Sequence, residues 1–207
     1  MVNARISANT DGLIVKIPDT DDAFNMTDDI CYEWEKRTGM KLAFDVITEI
    51  YQKDVNNYVF KFENGKIERK GSYVQEYDVL KNDLTIVNTA LVDYMTKGVP
   101  VETTINSCDD LNLFQKVVKV SNKYLRAWHN GQPLQDKTFR VFASTDARDG
   151  SICKQKKEGA NLEKFAYCPD HAVIYNEKIT SETRIDIDKH YYIDLAYKRL
   201  KDYGVIE

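Results

Sequence analysis

A single aspartate, Asp11, occupies a position in the sequence where a carboxylate could bind a metal ion. It lies in the polar segment NTDG, between the apolar-rich segments ARISA and LIVKI. This pattern predicts a β-hairpin with Asp11 at its tip. A carboxylate at the tip of a tight hairpin is held rigidly and projects into open space, as a ligand of a divalent ion must be.

Asp11 alone cannot support two-metal phosphoryl transfer, which needs carboxylates from more than one segment. Asp19, Asp21 and Asp22 follow the second strand, where we expect a solvated loop. Asp-Gly is also a favoured turn dipeptide, so an ordinary turn remains open. A separate metal-dependent hydrolase built on Asp11, Asp19 and Asp21 is disfavoured, because no other group with motif-like spacing offers a general acid or base.

The four cysteines do not indicate a metal site or a disulfide framework. They are scattered without a CxxC pair. Cys153, Cys168 and His171 could be drawn as metal ligands, but their spacing matches no zinc ribbon or finger, so we expect buried or idle thiols.

Composition places the chain among ordered globular proteins. Its 207 residues are 43% hydrophobic and 11% aromatic, with only 9 Gly and 4 Pro. No apolar run is long enough to cross a membrane and the start, MVNARIS, lacks the apolar core of a secretory signal, so we expect a cytoplasmic protein without a membrane partner. The net charge is -4, yet residues 61–160 hold 16 Lys/Arg against 13 Asp/Glu. Among residues 1–60, 61–160 and 161–207, only the middle segment has a basic excess, which would favour phosphate contacts there; ordinary surface variation is left open as the other explanation.

The elements that must position these residues can be read from periodicity. We expect a helix of about four turns that starts near Thr27 and stops at Gly39. The alternating segments KLAFDVITEIYQK, NNYVFKF and KIERKG predict a small antiparallel sheet. Apolar spacing predicts further helices from about Asp78 to Lys97, at 107–120 and at 188–202. Between the last two, residues 121–180 are expected to mix short strands with loops. The fold class is α+β, with a boundary between residues 70 and 80 that separates a mostly β portion from a mostly helical one.

Several separated segments resemble, in the correct order, the family B DNA polymerases of bacteriophages and related mobile elements. Residues 8–14, ANTDGLI, look like the catalytic hairpin whose usual core is Asp-Thr-Asp. The resemblance implies that Asp11 is the catalytic metal ligand, for Mg²⁺ in the complete polymerase. Asn9 stands here in place of the first Asp of the motif, and Gly12 in place of the usual Ser.

A second match lies in the predicted sheet. The segments YQKDVNNYVFKF and GKIERKG resemble the Lys-and-Tyr strand motif of the family and the Lys-Gly pair that closes the following strand, although the usual Lys-Lys-Arg-Tyr is here spread as KDVNNY. The resemblance implies contact with the minor groove and backbone of primer-template DNA, a role that lysine and amide donors can fill without reading sequence. The implied DNA-binding residues are Lys53, Asn56, Asn57, Tyr58, Lys70 and Gly71.

The C-terminal segment DIDKHYYIDLAYKRL resembles the thumb segment in which an Asp and a Tyr-Tyr-Ile run begin one of the last helices. We expect its matching residues to pack in a core, because paired aromatic residues at helix spacing are usually core formers. These residues are Asp188, Tyr191, Tyr192 and Ile193. We also expect basic residues of the middle segment to contact phosphates from one helical face, with a solvated basic face left open. They are Lys116, Lys119, Lys123 and Arg126.

The resemblance implies a division into the C-terminal part of a palm, residues 1–75, and a mostly helical thumb, residues 76–207. The expected function is that of a C-terminal fragment or subunit of a DNA-directed DNA polymerase, a nucleotidyltransferase that would be inactive without a separate N-terminal half. A stand-alone phage DNA-binding or accessory protein derived from a thumb is the alternative. If a palm half is missing, the sheet within residues 1–71 should expose an apolar surface where the missing palm strands would pair.

Overall fold

The computed structural model describes residues 3–8, 12–79 and 81–207, and these form two compact units. The first unit contains the described residues up to Thr48 together with Phe62–Asn64. The second contains Glu49–Lys61 and Gly65–Glu207. The second unit holds six of the seven predicted site residues. The division into a palm part, residues 1–75, and a thumb, residues 76–207, stays a prediction.

The first unit contains a hairpin and one long helix. Strands β1 (Asn3–Ala8) and β2 (Leu13–Lys16) pair antiparallel, which confirms the predicted hairpin. Helix α1 (Asp21–Thr38) stops at Gly39, whose left-handed φ of 72° suits glycine. The helix starts earlier than predicted, because the Thr20 side chain accepts a hydrogen bond from the Ala23 amide and caps it. Thr27 lies inside the helix and donates its hydroxyl to the Ala23 carbonyl at 2.8 Å.

The second unit begins with the predicted small antiparallel sheet. Its strands are β3 (Ile47–Asp54), β4 (Asn57–Phe62) and β5 (Ile67–Lys70), paired in that order. Strand β3 starts two residues inside the first unit. One side of the sheet contributes to the main core, where Val59 is fully buried.

Three helices form the main core of the second unit. These are α2 (Thr85–Lys97), α3 (Val101–Asn106) and α4 (Lys189–Asp202), with a short 3₁₀ helix at Leu111–Phe114. Helices α2, α3 and α4 pack on one another. Helix α4 confirms the expectation for 188–202: the Asp188 side chain caps it, and Tyr192 and Ile193 are buried in the core.

Helix α2 begins later than the apolar pattern predicts. Leu84 adopts a left-handed φ of 54° and its amide donates to the Gln115 carbonyl at 2.7 Å. The Gln115 side chain in turn donates to the Asn82 carbonyl at 2.7 Å. These contacts hold the segment before Thr85 against a distant loop, so its apolar residues are buried without continuing the helix.

The expectation of a mostly helical segment 76–207 is wrong, because seven short strands in that segment form two further sheets. One sheet has the order β12 (Ala172–Ile174), β9 (Thr138–Ala143), β6 (Lys116–Lys119). The other has the order β11 (Leu162–Lys164), β10 (Cys153–Gln155), β7 (Arg126–His129), β8 (Gln132–Leu134). A second, smaller hydrophobic core includes residues of both sheets, such as Val118, Ala127 and Val141.

The helix expected at 107–120 is replaced by the 3₁₀ helix and β6. Val117 and Val118 are β-branched, which favours the strand that pairs with β9. The expected helical face of Lys116, Lys119, Lys123 and Arg126 therefore does not exist. Two of these residues lie on β6, one in the following turn and one at the start of β7.

The tyrosines make the folded chain sensitive to alkaline pH. The pKa of Tyr51 is raised to about 12 by burial and by its hydrogen bond to Glu49, and the pKa of Tyr197 is raised to about 12 by its hydrogen bond to Glu102 and by burial. Burial likewise raises the pKa of Tyr203 to about 12. These groups hold their protons more tightly in the folded than in the unfolded chain, where tyrosine titrates near pH 10.

Their stabilising contribution is therefore complete below about pH 10 and is lost as the pH rises towards 12. We expect the melting temperature to fall by several degrees between about pH 9 and about pH 11. Circular dichroism melts, with tyrosinate absorbance followed in parallel, would measure this. Recovery at the lower pH would exclude chemical damage, and an unchanged melting temperature over that range would contradict the prediction.

Candidate nucleic-acid interface

The predicted DNA-binding residues of the sheet come together at one end of it. The turn between β3 and β4 is held by Asp54, whose Oδ1 accepts hydrogen bonds from the Asn56 amide and from Asn57 Nδ2, both at 2.9 Å. The side chain of Asn57 and the amide of Asn56 lower the pKa of Asp54. The tip of this hairpin is therefore locally ordered, and its carboxylate is occupied by amide donors.

Lys70 is placed beside this tip by the strand register. Tyr58 on β4 lies directly opposite Lys70 on β5. The Tyr58 ring stacks on Phe60 with ring centroids 4.2 Å apart, and its hydroxyl donates to Glu68 Oε1 at 3.0 Å. Tyr58 thus positions the strand pair, while the exposed Lys70 side chain extends from the end of β5.

Gly71 allows the close approach of the two strand ends. Its φ is +110°, a conformation that side-chain-bearing residues rarely adopt. A Cβ at this position would lie 2.2 Å from Asn57 Oδ1 and 2.8 Å from the Asn56 carbonyl oxygen. A glycine is therefore required after Lys70, because a side chain at position 71 would clash with the turn between β3 and β4.

Lys53 connects this end of the sheet to helix α4. Its Nζ lies 3.8 Å from Asp202 Oδ2 and 4.6 Å from the ring centroid of Tyr73. About a third of the Lys53 side chain remains exposed, and an exposed ion pair of this length contributes at most about 1 kcal/mol. A phosphate can compete with Asp202 for such a lysine.

The structure adds aromatic and basic residues that sequence reasoning missed. The Arg199 guanidinium lies 4.3 Å from the Tyr73 ring centroid, on the same ring that Lys53 contacts. Arg199 is buried, its Nη1 donates to Asn88 Oδ1 at 2.7 Å, and burial lowers its pKa. The Tyr73 hydroxyl lies 3.2 Å from the Tyr167 hydroxyl. The sequence offers one signal for Tyr73, which is that it follows the Lys-Gly pair by two residues.

The predicted metal ligand Asp11 lies outside the described residues, so its geometry and the expected Mg²⁺ site stay predictions. Asp21 and Asp22 belong to the first turn of α1, where they complement the helix dipole. Over the described ranges, no three histidine, cysteine, aspartate or glutamate side chains come together as a possible metal site.

Two of the four basic residues of the middle segment, Lys116 and Arg126, make intramolecular ion pairs. Lys116 Nζ lies 2.8 Å from Asp83 Oδ2, and an Arg126 guanidinium nitrogen lies 3.0 Å from Glu158 Oε2. Among the described residues, the basic side chains grouped near the sheet tip are Lys53 and Arg199, which contact the Tyr73 ring.

Within the described parts of the chain, every helix is too short or too polar to span a bilayer. Comparisons with protein-family models, with curated proteins and with solved structures gave no match.

Proposed function

We propose that this chain is the C-terminal palm and thumb portion of a family B DNA polymerase, which binds primer-template DNA and supplies one catalytic metal ligand, Asp11. The observation that carries the proposal is the convergence of the matched residues at one end of the β3–β4–β5 sheet. Lys53, the Asn56–Asn57 turn and Lys70–Gly71 come from three strands, and Gly71 is required where those strands meet.

The chemistry of this surface suits a duplex held without sequence readout. Lysine side chains neutralise phosphates, and the Asn56 side-chain amide can donate to the acceptors that every base pair presents in the minor groove. The Asn57 side-chain amide donates to Asp54 and holds the turn. The Tyr58 hydroxyl already donates to Glu68, so its contribution is the placement of Lys70. Binding of this kind weakens steeply as salt rises.

The exposed apolar residues of the first unit favour a polymerase subunit over a stand-alone DNA-binding protein. Helix α1 has no buried residue, although it carries several large apolar side chains. The segment after it, 40–46, exposes more of them. The exposed residues in these two segments are Phe24, Met26, Ile30, Tyr32, Met40, Leu42, Phe44 and Val46. They lie on a helix and an irregular segment, and not on the sheet where the exposed surface was expected. Such a surface is typical of a chain that pairs with another polypeptide, which in this proposal is the N-terminal polymerase half that completes triphosphate and metal binding.

The experiment that tests the proposal is a salt series of primer-template binding, followed by fluorescence anisotropy. The variant combines Lys53→Ala, Tyr58→Ala and Lys70→Ala. We expect the wild-type affinity to fall steeply with salt, and the variant to bind about tenfold more weakly with a salt slope smaller by about 2, since two phosphate contacts are lost.

A matched control removes the same residue types elsewhere. Tyr77, Lys156 and Lys178 are exposed and belong to other segments, so their joint replacement by alanine should leave both affinity and slope close to those of the wild type. Equal binding by the two triple variants would contradict the interface. A wild-type chain that binds no DNA at low salt would contradict DNA binding by this portion alone.

The proposal also expects no nucleotide incorporation by this chain alone. A primer-extension assay with Mg²⁺ or Mn²⁺ would measure this, and extension abolished by Asp11→Asn would show that the chain needs no partner.

A further inference from the structure

Two tyrosines flanked by two lysines extend from the predicted interface to α4. Lys53 lies on the Tyr73 ring, the Tyr73 hydroxyl meets the Tyr167 hydroxyl, and Lys198 Nζ lies 5.7 Å from the Tyr167 ring centroid. We call Tyr73 and Tyr167 the tyrosine pair. The resemblance assigns no role to either residue, and they are 94 positions apart in the chain.

Tyr167 is held in an unfavourable backbone conformation. Its φ is 56°, in the left-handed region that costs a residue with a side chain roughly 1–2 kcal/mol. The Tyr191 hydroxyl donates to the Tyr167 carbonyl at 2.7 Å and fixes this conformation. Tyr167 nevertheless remains 44% exposed, so burial does not account for the strain. Strain of this kind is characteristic of residues placed for contact with a ligand.

An open cleft of about 490 Å³ lies beside Tyr167. Its lining includes the Tyr191 ring, Leu195 and Lys198. The volume lies within the range of small-molecule sites and is sufficient for one nucleotide. Asp194 also lines the cleft. A carboxylate there would repel a phosphate, so a base is the better occupant of the cleft, with Lys198 available to a phosphate of the same nucleotide.

We infer that the tyrosine pair and this cleft hold an unpaired nucleotide of the bound DNA, with its base stacked on Tyr167. The inference rests on the proposed function and adds a second site to it. Aromatic rings in a positively charged setting bind single strands this way, because every base offers a flat face. A single-stranded template overhang beside the duplex supplies such a base.

The test compares three DNAs with the full chain: a blunt duplex, the same duplex with an overhang of about six thymidines, and the same duplex with about six abasic units. The two overhangs carry equal numbers of phosphates, so the difference in affinity between the two DNAs reports the contacts of the bases alone. We expect the wild type to bind the thymidine overhang about tenfold more tightly than the abasic one, as stacking of one base predicts.

Tyr167→Gly should abolish this difference without lowering the melting temperature, because glycine accepts the left-handed backbone. Tyr167→Phe keeps the ring and should retain most of the difference. Tyr167→Asn removes the ring and tolerates the same φ, so it serves as a second ring-free variant if the glycine variant folds poorly.

A thymidine advantage that persists in both ring-free variants, or that is absent from the wild type, would overturn the inference. If the inference fails in this way but the blunt duplex binds with the expected salt dependence, the proposed duplex interface is still supported. If the wild type binds none of the three DNAs, the proposed function fails, and the inference fails with it.

Discussion

Tyr192→Ala is expected to lower the free energy of unfolding by about 3–5 kcal/mol, the largest effect of any substitution considered for this chain. Tyr192 is only 1% exposed and belongs to the main core. Its ring meets the Phe114 ring edge-on, with centroids 5.0 Å apart, and its hydroxyl oxygen accepts the Ala143 amide at 3.0 Å. The substitution therefore removes a large buried ring and leaves a buried amide without its partner.

Tyr192→Phe separates these two contributions. It keeps the ring and leaves only the Ala143 amide unsatisfied, which costs about 1–3 kcal/mol. Urea unfolding curves of the wild type and both variants would measure the difference. Equal destabilisation by the two substitutions would mean that the hydrogen bond, and not the packing of the ring, accounts for the stabilising effect of Tyr192.

Gly71→Ala is expected to destabilise the chain by about 2–3 kcal/mol and to weaken primer-template binding at the same time. The new Cβ would need to avoid the Asn56 carbonyl oxygen at 2.8 Å in addition to adopting a φ of +110°. Because the clash is with backbone, the hairpin tip must move, and Lys70 moves with it. Urea unfolding and DNA anisotropy on the same protein would measure both effects.

Gly65→Ala provides the matched control. Gly65 also has a positive φ, +80°, but a Cβ there meets nothing within 4 Å. We expect about 1 kcal/mol of destabilisation from the backbone alone, with DNA affinity unchanged. If Gly65→Ala and Gly71→Ala have the same effect on binding, the close approach of the strand ends has no part in the interface.

Local patterns predicted the elements whose residues contact their sequence neighbours. The hairpin β1–β2, the sheet β3–β4–β5 and the helix α4 follow from alternation, turn residues and apolar spacing. The start of α1 was misplaced because both Thr20 and Thr27 are good caps, and only the backbone conformation of Thr20 distinguishes them.

Distant contacts account for the errors. Apolar spacing around Leu84 is helical, yet its amide bonds to Gln115, some 30 residues away, so the helix starts later. Lys116 and Lys119 have helical spacing too, but pairing of β6 with β9 overrides it. Short strands paired with partners far along the chain leave little periodicity to detect.

The residues of the candidate site also fall into a group that is close in sequence and a group that only distant contacts bring together. The resemblance implied one DNA-binding set, and the structure brings its members together because they lie within two adjacent hairpins. The set is Lys53, Asn56, Asn57, Tyr58, Lys70 and Gly71. Tyr167 and Lys198 could not be predicted, since they reach this region only through the fold of the C-terminal half. The role of Asp11 depends on residues outside the described ranges and stays a prediction.

Because α4 packs on α2, helix α2 stays partly uncovered during synthesis until α4 has been made. Helix α2 ends at Lys97 and α4 begins at Lys189, so about 90 residues separate α2 from the segment that covers it. At roughly 5–20 residues per second, a ribosome needs about 5–20 s to produce that segment. During this interval the apolar side chains of α2 lack their native cover and are accessible to chaperones.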